Sequence, residues 1–367
     1  MDSARRQKQK IINKPFRRTS FLLCHTTTAN WCHIGQVTID ILPDDVLLKI
    51  FDYYVAEATE VGEYEGWQVL AHACQKWRYV VLWSPLRLNL RILCSARTPV
   101  RSKLAVWPPL PIVIAQYGRL TSKCSEDNIN AALGHNDRIY KVNLAIPSSL
   151  LERVFPAMQK TFVALEDLGL NAIDDMAPVV SDSFLGGSAP HLRHLWLIRI
   201  PFPFPVLRRL LLSAAPNLVI LTLCDIPHSG YFSPEAMVTC LSALTRLKLL
   251  YIEFESPRSR PPRESRRPPP TRSILPVLID LRFIGVSEYL EDLVTRIDAP
   301  LVDFLDIKFF HQLILDTPQL VHFISRSPKL KAYDEARVIF SDSRATITLT
   351  KRDNLEVKMG VSCKPSD

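Results

Sequence analysis

Glycine is scarce in this chain, at 11 of 367 residues, and the glycine-rich loops that cradle phosphate are missing. Neither Gly-x-Gly-x-x-Gly nor Gly-x-x-x-x-Gly-Lys occurs, nor His-Glu-x-x-His, Cys-x-x-Cys or Gly-x-Ser-x-Gly. Those absences argue against nucleotide-binding, zinc-protease, dithiol and serine-hydrolase chemistry, so the chain reads as a non-enzyme with no cofactor. No run of about 18 uncharged apolar residues is present, so no bilayer-spanning helix is expected. The apolar run after the basic start, Phe21 to Cys24, is shorter than the ~7 to 15 residues of a secretory signal. A cytoplasmic and/or nuclear location follows as the expectation. Eight cysteines (Cys24, Cys32, Cys74, Cys94, Cys124, Cys224, Cys240 and Cys363) lack tight pairing and fall mostly in apolar segments, as reduced core residues do. Cys24-His25 and Cys32-His33 stand alone in an arm with no second pair, too little for zinc. No metal site is expected.

Acid is lacking too between residues 3 and 39, and the net charge is +8. Its location matters more than its size. Residues 1–18 carry +6 and residues 257–272 carry +5, which leaves −3 for everything else. Both basic segments have the composition of disordered chain, whereas nucleic-acid footprints are basic patches on folded surfaces. A nucleic-acid partner working through the two arginine-rich arms is therefore the third-ranked reading, and none is expected.

Residues Ile41-Leu42-Pro43-Asp44-Asp45 open a helical segment, with proline at its start and acids against the positive end of the dipole. Val46, Leu47, Ile50, Phe51 and Tyr54 recur at helical spacing, yet Leu48, Tyr53 and Val55 off that stripe are apolar as well. A surface helix needs one apolar stripe about 100° wide, so this one has a second face to bury, within the chain or on a partner. A second helix is read through Trp67, Leu70, Cys74, Trp77 and Val81, ending at Pro85.

These residues resemble the F-box family: Leu42-Pro43, Val46-Leu47-Leu48, Ile50-Phe51 and Tyr54, then Cys74-x-x-Trp77-Arg78, Val80-Val81 and Pro85-x-x-Leu88. The resemblance covers about fifty residues, and residues 56–66 lengthen the loop relative to the family pattern. It implies docking on a Skp-type adaptor and, through it, on a cullin ubiquitin ligase. Leu42, Pro43, Val46, Leu47, Ile50, Phe51 and Trp77 would bind that adaptor or shape its site. Burying four such side chains yields roughly 6 to 10 kcal/mol, against an association cost of about 4 to 15, so further contacts are needed.

Further on, a Leu-x-x-Leu-x-Leu pattern recurs as Ile139/Val142/Leu144, Leu165/Leu168/Leu170, Leu192/Leu195/Leu197, Leu218/Leu221/Leu223, Leu247/Leu250/Ile252, Leu278/Leu281/Phe283 and Val302/Leu305/Ile307, with a degraded copy from Leu330. Starts lie 24 to 31 residues apart, the period of leucine-rich repeats. Ala189-Pro190, Ala215-Pro216, Ala299-Pro300 and Ser327-Pro328 mark the phase. Ser233-Pro234-Glu235 reads as a helix start leading through Met237, Leu241 and Leu244. Ile173, Ile200, Ile226, Glu255 and Val286 stand where such repeats carry Asn or Cys, so the turns must be held some other way. His191 and His194 read as exposed turn residues without an acidic partner, and Asp174-Asp175 and Glu291-Asp292 as polar turn or helix-edge pairs.

The expected fold is α/β, an N-terminal F-box-like helical module followed by an irregular leucine-rich-repeat-like α/β solenoid. Its parts are a disordered basic arm (1–36), the helical module (37–95), a connector (96–137), the solenoid (138–350) with a projecting Pro/Arg-rich loop (256–272), and a tail (351–367). The expected role is substrate-recognition adaptor in a Skp-cullin-F-box type ubiquitin ligase, the repeats binding a client protein by proximity rather than chemistry. The alternative is a ligase-independent interaction scaffold built on the repeats. No membrane association is expected.

Overall fold

The structure, a computed structural model, describes residues 41–60, 65–95, 99–117, 123–257, 271–310, 317–331, 335–341, 344–350 and 356–362. The basic arm 1–36, with its two Cys-His pairs, and most of the Pro/Arg-rich loop lie outside the described residues. The chain forms two compact units, residues 1–43 and 44–367, of which the first is described only from Ile41 to Pro43.

The second unit opens with helices α1 (Asp44–Glu60), α2 (Gly66–Ala73) and α3 (Gln75–Trp83). Sequence spacing suggests one helix from Trp67 to Val81; the structure breaks it at Cys74. That residue has extended backbone, φ −156° and ψ 172°, and its Sγ accepts a hydrogen bond from the Trp77 N–H at 3.4 Å. Cys74 thus ends α2 and supplies an acceptor for one of the unpaired N–H groups of α3. Arg78 Nε in turn donates to the Ala71 carbonyl at 2.8 Å, near the C-terminus of α2.

A parallel sheet follows. Strands β1 (Ile92–Cys94), β2 (Ile112–Tyr117), β3 (Ile139–Ile146), β4 (Asp167–Ala172), β5 (His194–Ile198), β6 (Ile220–Ile226) and β7 (Leu249–Phe254) lie side by side in chain order. The short β8 (Ser273–Ile274) leaves this series to pair with β10 (Ile297–Asp298). The series resumes with β9 (Asp280–Gly285) and β11 (Phe304–Phe309). Helices α4 (Val100–Val106), α5 (Lys123–Leu133), α6 (Ser148–Val154), α7 (Phe204–Ala214), α8 (Pro234–Leu241), α9 (Ser287–Arg296) and α10 (Pro318–Arg326) alternate with the strands. As expected, Ser233 starts α8: its Oγ accepts from the Ala236 N–H at 3.3 Å.

Each Leu-x-x-Leu-x-Leu triplet enters a strand in one register. Val142, Leu168, Leu195, Leu221, Leu250, Leu281 and Leu305 pair in one row, and Leu144, Leu170, Leu197, Leu223, Ile252, Phe283 and Ile307 in the next. Both rows are buried, at roughly 1.5 to 3 kcal/mol for each enclosed side chain. The intervening residues stay mostly part-exposed on the opposite face. Between β7 and α9 the core turns aromatic: Tyr289 stacks on Phe283 at 5.8 Å and meets Phe254 edge-on at 4.7 Å.

Two expected boundaries need correction. Residues 96–137 are more than a connector, since they hold α4, β2 and α5, and the sheet already begins at β1. Isoleucine, valine and glutamine replace the leucine signature there, which hid the strand. Nor is 351–367 only a tail: β14 (Glu356–Ser362) pairs parallel with β11. Beyond it β13 (Arg344–Thr350) and β12 (Glu335–Ser341) turn antiparallel, so the degraded copy after Leu330 is a hairpin strand rather than another parallel step.

With no Asn or Cys ladder, the turns are held by bonds that reach one period along the chain. The Ser148 Oγ and N–H both donate to Asp174. Asn217 Nδ2 donates to the Pro190 carbonyl at 2.9 Å, Arg326 Nε to Asp298 at 2.8 Å, and Ser327 Oγ to the Ala299 carbonyl at 3.4 Å. Backbone pairing also runs a residue past the strands, as from the Ile173 N–H to the Ile146 carbonyl and from the Glu255 N–H to the Ile226 carbonyl.

The first edge of the sheet is closed by α2, before it in the chain, and by α4, which follows β1. Trp67 of α2 donates its indole N–H to the Arg91 carbonyl at 2.8 Å. Lys103 of α4, ion-paired with Glu65, donates to the Leu93 carbonyl at 2.8 Å. Carbonyls along an edge strand invite pairing by another chain unless something covers them; here an indole and an ammonium do.

Candidate functional site

At about 100° per residue, helix α1 divides into three arcs. Leu47, Leu48, Phe51 and Val55 form one arc and are buried. Asp45, Lys49 and Asp52 form a polar arc and are exposed. Val46, Ile50, Tyr53 and Tyr54 form the third, 36%, 42%, 82% and 41% exposed. The helix is apolar on two sides, and the described residues enclose one of them.

The buried arc is locked by Phe51, whose ring meets Trp77 of α3 edge-on at 5.0 Å. Of the expected site residues in this unit, Val46 and Ile50 face out, Leu47 and Phe51 are wholly enclosed, and Trp77 is part-buried. Leu47 and Phe51 therefore shape the outer face without reaching it. In the first unit Pro43 is exposed and Leu42 part-buried.

Sequence reasoning missed several exposed apolar groups nearby. Tyr79 and Trp83 of α3 lie one turn apart with ring centroids 5.3 Å from each other, and Trp83 is 74% exposed. Val69 of α2 and Leu86 beyond α3 are exposed as well. The available signal was the four-residue step from Tyr79 to Trp83, off the Trp77–Val81 stripe. Exposed apolar groups at this density mark interaction surfaces.

A second surface is the open face of the sheet. His194 opens β5 rather than a turn, and its Nδ1 is bonded to the Asp167 carboxylate of β4. The expectation of an exposed histidine without an acidic partner is thus overturned, because register sets residues 27 positions apart side by side. Trp196 packs beside His194 at 5.4 Å. Farther along, the Tyr251 hydroxyl donates to Glu253 at 2.5 Å, Arg282 pairs with Asp280 at 2.7 Å, and Lys308 pairs with Asp306 at 3.5 Å. The charges on this face are largely matched within it. Burial first, and then the neighbouring Glu253, pushes the Cys224 thiol up to about 12, so it stays protonated and is a poor nucleophile.

Of the carboxylate pairs, Asp174-Asp175 lies in a turn as expected and Glu291 is part-exposed on α9, while Asp292 departs from the reading. Asp174 caps the start of α6. Glu291 accepts from the Gln319 and Leu320 N–H groups, both at 2.8 Å, and so caps α10. Asp292 is buried rather than at a helix edge.

Among the described residues, no group of three or more His, Cys, Asp or Glu is placed to hold a metal ion, and no helix is long and apolar enough to cross a membrane. Cys94, Cys224 and Cys240 are buried free thiols and Cys74 is part-buried. No protein-family model matches the chain, and no curated protein sequence matches it.

Proposed function

We propose that the chain is a substrate-recognition adaptor of a Skp-cullin-F-box type ubiquitin ligase. Helices α1 to α3 act as the F-box-like module that docks on a Skp-type adaptor, and the strands and helices after them act as a leucine-rich-repeat-like solenoid that binds a client protein. The observation that carries this reading is the outer arc of α1. Val46, Ile50, Tyr53 and Tyr54 stand exposed while the opposite arc is enclosed, and that arc coincides with part of the F-box resemblance. Tyr79, Trp83 and Leu86 supply additional exposed apolar surface, which an association costing about 4 to 15 kcal/mol requires. The role is positional: a client on the sheet's open face is held near a ubiquitin-charged enzyme supplied by the complex.

The test is co-purification of the full chain with a Skp-type adaptor. The intact chain is expected to capture it, and Val46→Asp with Ile50→Asp to abolish capture. Both substitutions lie on the exposed arc, so circular dichroism should be unchanged. Adaptor recovery that survives the double substitution rejects the docking assignment. An intact chain that captures no adaptor leaves the ligase-independent scaffold.

A further inference from the structure

Helix α9 buries polar groups as well as apolar ones. Ser287, Asp292 and Thr295 all belong to it and are among the few polar residues enclosed in the described chain. Steps of three and four set Glu288, Glu291, Asp292 and Thr295 on one side of the helix. There, with Ser287 and with Gln319 of α10, they line a cavity of about 240 Å³. Of the residues lining it, three are acids and none is a base.

Hydrogen bonding sorts these groups by what they still offer. Glu291 spends both carboxylate oxygens on the Gln319 and Leu320 N–H groups. Thr295 Oγ1 gives its proton to the Glu291 carbonyl at 2.7 Å, and Ser287 Oγ donates to Glu288 at 3.4 Å. Both hydroxyls therefore keep only lone pairs, as acceptors. Asp292 Oδ1 accepts from Arg296 Nε at 2.9 Å, but Oδ2 is buried with no hydrogen-bond partner among the described residues. With the Asp292 side chain only 3% exposed, a carboxylate oxygen without a donor is costly to enclose.

The basic side chains around α9 are engaged elsewhere. Arg296 divides its guanidinium between Asp292 Oδ1 and Glu235 of α8. Arg272 donates to the Thr295 carbonyl, and Arg326 to Asp298 and to the Val294 and Ile297 carbonyls.

We propose that the cavity between α9 and α10 binds a primary ammonium group, with Asp292 as its ionic anchor and the Ser287 and Thr295 hydroxyls as further acceptors. An ammonium carries three donors and no acceptor. That matches a wall whose hydroxyls have given up their protons and whose buried carboxylate lacks a donor. A metal ion fits less well, since among the described residues no group of three or more His, Cys, Asp or Glu is placed to hold one. The volume suits one small amine or a single lysine side chain, being below the roughly 300 Å³ at which sites for drug-sized ligands begin.

Amide NMR of the full chain tests this at pH 7.5, above the value of about 6 to which burial raises the Asp292 carboxyl, so that Asp292 is ionised. The probes are putrescine, lysine capped at both ends, and the neutral 1,4-butanediol. At least one of the two amines is expected to bind saturably, one per chain, and to shift signals from α9 and the start of α10, while the diol shifts none. Binding by putrescine but not by capped lysine assigns a free amine; binding by capped lysine, with or without putrescine, assigns a lysine side chain of a protein. Asp292→Asn is expected to weaken amine binding roughly tenfold or more, the loss of one charge-assisted contact, and Thr295→Val to weaken it less. The wild-type titration needs no variant to fold. The proposal is overturned if neither amine gives saturable shifts at α9, if the diol shifts the same signals equally, or if folded Asp292→Asn binds as wild type does.

Discussion

Replacing Trp67 with phenylalanine isolates one bond between the N-terminal helices and the sheet. Trp67 is almost wholly buried, packs edge-on against Trp107 at 4.9 Å and donates its indole N–H to the Arg91 carbonyl at the mouth of β1. Phenylalanine keeps most of the packing and removes the donor. A buried carbonyl left without a partner costs about 1 to 3 kcal/mol, and the void left by the smaller ring adds roughly 1 more. A loss of about 2 to 4 kcal/mol is expected in urea unfolding of the full chain, with faster amide exchange along β1 and β2. Because Lys103 still covers the neighbouring Leu93 carbonyl, the edge weakens without opening completely. A loss below about 0.5 kcal/mol would refute the argument that the indole seals this edge. So would separate unfolding of α1–α3 and the sheet in the wild-type chain, since residues 44–367 form one compact unit.

Two further predictions rest on single groups. Glu291→Ala removes the acceptor of two N–H groups at the start of α10, where Thr317 makes no side-chain cap. The expected cost is about 1 to 2 kcal/mol, with faster hydrogen exchange at Gln319 and Leu320 and little change at β4; unchanged exchange would contradict the capping role. Burial is the largest cause lifting the thiols of Cys94 and Cys240 to about 11 and of Cys224 to about 12. Since the thiolate is the reactive form, these three should resist iodoacetamide at pH 8 in the native chain and react once it is unfolded, as read by mass spectrometry; native labelling of Cys224 would show that its burial is not maintained.

Legibility in the sequence follows from what kind of fact each feature is. The seven leucine triplets were readable because strand alternation and a period in the twenties are both local patterns, and the start of α8 because Ser-Pro-Glu is a local signal. The uncovered side of α1 was readable for the same reason, since too many apolar residues around one helix is a count over a dozen positions. β2 escaped because Ile112, Val113, Ile114 and Gln116 fill the register without leucine, and the break between α2 and α3 because cysteine is an uncommon cap.

The partners of polar residues were unreadable for a different reason: they depend on register. Once the phase of the array is known, a residue's neighbour lies about 27 positions away, and Asp167 beside His194 or Asp174 beside Ser148 follows from the numbering alone. The same rule gives meaning to its exception. Glu235 and Arg296 sit 61 positions apart, more than two periods, because among the described residues no helix stands between β7 and β9 and α8 therefore packs directly against α9. An array that binds along its open face depends on unbroken succession of its steps, because a binding surface spread over many strands is only as continuous as its weakest junction. The junction between α8 and α9 is reinforced by a part-buried arginine bound to two carboxylates, Glu235 and Asp292, and in the proposed role a client spread along the open face would depend on it.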